Sequence, residues 1–128
     1  MRKGFVFLLI FVAIASVVGC NKQINIKSED KLIIEKLTET EGQYEVIKEI
    51  TDKEKIENVL KIFKKARWEE ASDKSTYPDF KINDSYAIWI TSNNKIRVRI
   101  DSISKNTFLS EKDSKVLYEI ITDEKLGE

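Results

Sequence analysis

The sequence predicts an α+β fold, a single antiparallel sheet with two helices packed on one face. Three observations lead there. Apolar residues alternate with period two in short runs such as Lys95-Ile96-Arg97-Val98-Arg99-Ile100, the pattern of strands with one buried face. Two other stretches carry apolar residues at helical spacing behind a capping signal. The order of the stretches is hairpin, helix, three or four strands, helix, with no internal repeat and no second domain.

In chain order, Leu32-Ile33-Ile34 with Leu37, followed by the alternation Tyr44, Val46, Lys48, Ile50, predicts two strands joined by a turn containing Gly42. Thr51 with Glu54 has the spacing of a capping box, so a helix starts there. Ile56, Val59, Leu60 and Phe63 form its apolar stripe, with lysines solvated around it. Trp68 near the helix end closes the core. Residues 69–76 read as a polar loop. Pro78 cannot donate to a ladder, so it opens a strand or lies on an edge, with Phe80 and Ile82 following on one face.

Asn83-Asp84 reads as a turn, and residues 85–91 and 95–100 as a hairpin. Two registers compete. A three-residue loop at Ser92-Asn93-Asn94 opposes Ile90 to Ile96 and Ile88 to Val98, placing Trp89, Arg97 and Arg99 together on the other face. A two-residue turn at Asn93-Asn94 buries Trp89 with Val98 and leaves Ile88 and Ile90 among the arginines. The first is preferred because it buries more branched side chains. Thr107-Phe108-Leu109 gives a last short strand, and Ser110 with Asp113 caps a final helix with Val116, Leu117, Ile120 and Ile121 as its stripe. Residues 122–128 read as a fraying charged tail.

The N-terminal twenty residues have a separate logic. Arg2 and Lys3 precede an uncharged apolar run, Phe5 to Val18, of 14 residues, whereas a bilayer-spanning helix needs about 20. That is the layout of an export signal. Val17-Val18-Gly19-Cys20 resembles the lipobox of bacterial lipoproteins. The resemblance implies diacylglyceryl transfer to the Cys20 thiol and cleavage before it, and two acyl chains at about 0.8 kcal/mol per buried CH₂ hold a protein on a membrane without a spanning helix. The alternative is an uncleaved apolar N-terminus with an incidental cysteine. On the first reading residues 1–19 are the signal, 20–30 the lipidated N-terminus and a solvated tether, and 31–128 one α+β domain at the extracytoplasmic face of the cell membrane.

Composition narrows the function further. After removal of the signal, 20 basic residues face 22 acidic ones, a balance that does not point to nucleic acid. Histidine is absent and Cys20 is the sole cysteine, so the commonest general base, metal ligand and thiol nucleophile are missing from the domain. Asp79 and Asp84 flank a turn, where carboxylates are usually solvated. We therefore expect no enzyme, no catalytic residue, no cofactor and no metal.

The capped stretch Thr51-Asp52-Lys53-Glu54-Lys55-Ile56, together with Tyr77-Pro78-Asp79-Phe80, Tyr86-Ala87-Ile88-Trp89-Ile90, Thr107-Phe108-Leu109-Ser110 and Leu117-Tyr118-Glu119-Ile120-Ile121, resembles small Gram-positive lipoproteins of the YhfM type. The resemblance implies location and fold and carries no assigned activity. The expected role is a binding or interaction module with an envelope protein as partner, engaged through Trp89, Arg97 and Arg99, although a tryptophan there equally serves to shield its own strand. The alternative is a carrier of a small molecule or cell-wall fragment, or less readily an envelope enzyme, with its site between the sheet and the loop at residues 69–78.

Overall fold

The computed structural model describes residues 24–71 and 76–127. The signal, Cys20 and the first part of the tether lie outside the described residues, as do residues 72–75. Seven strands, β1 (Leu32–Leu37), β2 (Tyr44–Ile50), β3 (Glu69–Glu70), β4 (Phe80–Ile82), β5 (Tyr86–Ile90), β6 (Ile96–Ile100) and β7 (Lys105–Phe108), join in one antiparallel sheet of order β2-β1-β4-β5-β6-β7-β3. Helices α1 (Lys53–Lys65) and α2 (Glu111–Thr122) cover one face. The fold class is the predicted one. Its sheet is wider than the predicted strands allowed, because Glu69–Glu70, expected to be loop, pairs with β7 at the far edge.

Strand parity sorts the side chains. Leu32, Ile34, Phe80, Ile82, Tyr86, Ile88, Ile96, Val98 and Ile100 point toward the helices and form one buried cluster with Ile56, Val59, Leu60, Ile62 and Phe63 of α1 and Leu117 and Ile121 of α2. Trp68 packs edge-on to Phe63 and donates its indole N–H to the Phe63 carbonyl at 2.9 Å, closing the end of α1. The β5–β6 pairing is Ile88 with Val98 and Ile90 with Ile96, the register of the three-residue loop. Asn94 at φ 57° supplies the left-handed residue that such a loop requires.

Several local expectations are corrected. The α1 cap is Asp52 rather than Thr51; its carboxylate accepts from the amides of Glu54 (2.9 Å) and Lys55 (3.5 Å), since an aspartate caps well and adds favourable charge at the helix N-terminus. Tyr44, Val46, Lys48 and Ile50 do not share a face. Ile34 pairs with Lys48 but Glu35 with Val46, so Ile47 is bulged out, leaving Ile50 and Lys48 on the helix side and Val46 and Tyr44 on the other. In α2 the buried positions are Ser114, Leu117 and Ile121, while Val116 is exposed.

Both chain ends of the domain are held down. In the stretch expected to be a solvated tether, Ile26 is buried in the core and Ile24 packs against it. Glu29 accepts from Asn83 Nδ2 at 2.8 Å. Asn83, left-handed at φ 52° beside Asp84 at φ 53°, also accepts from the Ile33 amide at 2.7 Å, so one turn residue ties the entering chain to β1. At the other end, the expected fraying tail buries Leu126. Lys48, on the helix side with Ile50, donates from Nζ to the Ile120 carbonyl and to Asp123 Oδ1, each at 2.8 Å.

Two outcomes test this framework. Ser114 is fully buried and its Oγ accepts from the Ile96 amide at 2.9 Å, joining α2 to the start of β6. Ser114→Ala leaves that amide unsatisfied, so denaturant unfolding should report a loss of about 1–3 kcal/mol. The hydrogen bond from Lys48, and then its charge, hold the Asp123 carboxyl below its ordinary range. A depressed native pKa means stabilisation present above the unfolded aspartate pKa and lost as pH falls through the native one. The melting difference between the wild type and Asp123→Asn should accordingly be small but measurable at neutral pH and vanish in acid.

Candidate functional site

The sheet face turned away from the helices carries the residues singled out by the sequence. In register across it run Trp89 with Arg97, then Arg97 with Phe108, and Ala87 with Arg99, then Arg99 with Asn106. The Arg97 guanidinium lies over the Trp89 ring at 4.6 Å. A second stacked pair sits toward the β2 edge, where Lys81 Nζ lies 4.1 Å from the centre of the Tyr44 ring. The first pair follows from the pleat, which sets Arg97 beside Trp89 on neighbouring strands, whereas Lys81 on β4 reaches Tyr44 on β2 across the intervening β1.

Trp89, Arg97 and Arg99 are thus brought together, but they are not equivalent. Arg99 Nε forms an ion pair with Asp101 Oδ1 at 2.7 Å. Arg97 has no ion-pair partner among the described residues, and partial burial followed by the nearby Arg99 charge lowers its pKa. Trp89 has its N–H committed to the Thr76 carbonyl at 3.1 Å. Its ring and its polar atom are thus both engaged within the domain.

This sheet face is partly covered by the chain itself. The chain must pass from β3 at one edge to β4 near the other, and its last part lies on this face. Thr76 accepts from Trp89, the Pro78 carbonyl accepts from the Tyr44 hydroxyl at 2.7 Å, and the Tyr77 ring lies against Gly42. A Cβ at residue 42 would meet that ring at 3.3 Å, and Gly42 itself is left-handed at φ 77°, so glycine serves both the turn and the close approach. Burial, with the charges of Asp79, Tyr77 and Glu35, raises the Tyr44 pKa.

Around this segment apolar surface remains exposed. Phe108 is 63% exposed, Val46 62% and Tyr77 52%. The sequence reading missed these positions, because period-two alternation does not say which apolar residues lack a covering element. An open cleft of 590 Å³ runs between Tyr77 and Trp89, with Glu41 and Asp101 on its walls. It lies where the alternative placed a ligand site. Asp79 and Asp84 stand at opposite ends of β4, and the Asp79 carboxylate accepts from the Ile90 amide at 2.7 Å, a strand-end bond.

Among the described residues no cluster of three or more Asp, Glu, Cys or His side chains is arranged to hold a metal ion. None of their helices is long and apolar enough to cross a membrane. Comparison of this chain with protein-family models, with curated proteins and with solved structures finds no match, so the functional reading rests on the residues themselves.

Proposed function

We propose that this chain is a membrane-anchored extracytoplasmic lipoprotein, tethered through lipid on Cys20, whose domain binds an envelope protein through the sheet face carrying Trp89, Arg97 and Phe108. The anchor rests on the Val17-Val18-Gly19-Cys20 pattern behind a short uncharged apolar run. The binding role rests on one observation, the exposed aromatic side chains of Phe108 and Tyr77 flanking a guanidinium already stacked on an indole. Aromatic residues and arginine are enriched among the residues that dominate interface energies. Trp89 and Arg97 hold the centre of the patch rigid, and the exposed rings at its margins supply the area to be buried.

A carrier of a small molecule or cell-wall fragment is the second reading, favoured by the cleft between Tyr77 and Trp89, whose carboxylates Glu41 and Asp101 suit a hydroxyl-rich or cationic ligand. Phe63, Leu32, Ile34, Ile82 and Leu117 are fully buried between sheet and helices, and this packing favours the surface role.

Metabolic labelling with a fatty acid should tag the wild-type protein and not Cys20→Ser, and globomycin should block its maturation; an unlabelled, unprocessed wild-type chain refutes the anchor. Phe108→Ala with Tyr77→Ala should leave the unfolding free energy within about 1 kcal/mol, because both side chains are exposed. The same pair should abolish envelope crosslinks captured by the wild type. Unchanged crosslinks in that folded double variant overturn the binding surface, and binding of a muropeptide lost on Asp101→Asn would establish the carrier reading instead.

A further inference from the structure

On the proposed binding role of the sheet face, we infer that its protein partner engages through an acidic segment, with an Asp or Glu carboxylate received by the Arg97 guanidinium and an apolar side chain laid against Phe108. The register decides which neighbours Arg97 has. Trp89 stands opposite it on β5 and Phe108 on β7, and the next positions of the same parity are Ala87, Asn106 and Arg99. None of these is acidic. Lys95, two residues before Arg97 and still paired with Thr91, has the same parity, so this side of the β6 segment reads Lys95, Arg97, Arg99.

The acidic residues around this ridge are placed elsewhere. Asp101 holds Arg99 Nε at 2.7 Å. Glu69 shares the face but lies opposite Asn106 on β3, two strands away from β6. The whole chain balances 22 basic against 22 acidic residues, so the excess of cations along β6 is local. At the other cation–aromatic pair the arrangement differs, because Glu35 stands directly opposite Lys81 on β1.

Desolvation then sets what a partner must bring. One side of the Arg97 guanidinium is taken up by the Trp89 ring, 4.6 Å away, and its planar fork of N–H donors matches the two oxygens of a carboxylate. Burial, followed by the Arg99 charge, already lowers the Arg97 pKa. A partner that covered Phe108 and Trp89 with apolar groups alone would strip further water from that cation and leave it buried without a counter-charge. A carboxylate fits better than a phosphate, since Glu41 and Asp101 on the walls of the cleft beside Trp89 repel a dianion more strongly than a single charge.

The test uses the full-length protein in its native envelope. Carbodiimide joins carboxylates to amines and does not couple guanidinium groups, so Arg97→Lys sets a reactive amine at the contact while keeping the positive charge. Mass spectrometry of that variant should map an adduct between residue 97 and an Asp or Glu of another protein. Arg97→Gln should lower the yield of envelope crosslinks about tenfold or more, and Lys95→Gln by less, with denaturant unfolding showing each variant folded. Absence of the adduct, or an adduct joined only to a carboxylate of this same chain, overturns the acidic partner; suppression of the crosslinks by inorganic phosphate would then name phosphate as the anion. Undiminished crosslinks in Arg97→Gln, where Phe108→Ala with Tyr77→Ala abolishes them, likewise overturn the carboxylate and keep the binding face. Undiminished crosslinks in all of these variants remove the binding face itself.

Discussion

The register of the β5–β6 hairpin is the constraint on which both faces of the sheet depend. Three loop residues, with Asn94 left-handed at φ 57°, put Ile88 opposite Val98 and Trp89 opposite Arg97. A slip of one residue would exchange the two sets, sending isoleucines among guanidiniums and an indole into a space packed for branched aliphatics. The core and the candidate surface are consequences of the same turn, and selection for either holds the other in place.

Alternation also explains which parts of the fold are legible in the sequence. The hairpin register, α1 with its stripe, the α2 cap at Ser110 and the Asn83-Asp84 turn all rest on local signals, and local signals place them correctly. The bulge at Ile47 was not legible, because the alternation from Tyr44 to Ile50 gives no sign of the extra residue that parts Val46 and Tyr44 from Lys48 and Ile50; nor were the tertiary bonds from Lys48 to the Ile120 carbonyl and Asp123. Glu69–Glu70 gives no strand signal either. It is recruited by the free edge of β7, and Lys105 crosses to Glu70 at 2.6 Å.

The candidate surface was legible in composition and illegible in cover. The sequence places Trp89 beside Arg97, but it does not reveal that Thr76 would take the indole N–H or that Tyr77 would rest on Gly42. Both depend on where residues 76–78 lie as the chain enters β4, which is set by contacts with residues distant in sequence. That placement engages Trp89 within the domain and leaves accessible aromatic area at Phe108 and Tyr77. A stacked arginine and tryptophan immobilised by the domain present a surface whose ordering entropy is already spent, which favours recognition by a rigid partner.

The proposed lipid anchor bears on how strong the sheet-face surface would have to be. On that reading, tethering would confine the domain's search for an envelope partner to a thin layer in which the effective concentration of other anchored proteins is high. Modest intrinsic affinity suffices under those conditions. A small patch of exposed aromatics around one guanidinium is then adequate as a binding surface, whereas the same patch on a freely diffusing protein would have to be larger to hold a partner for as long.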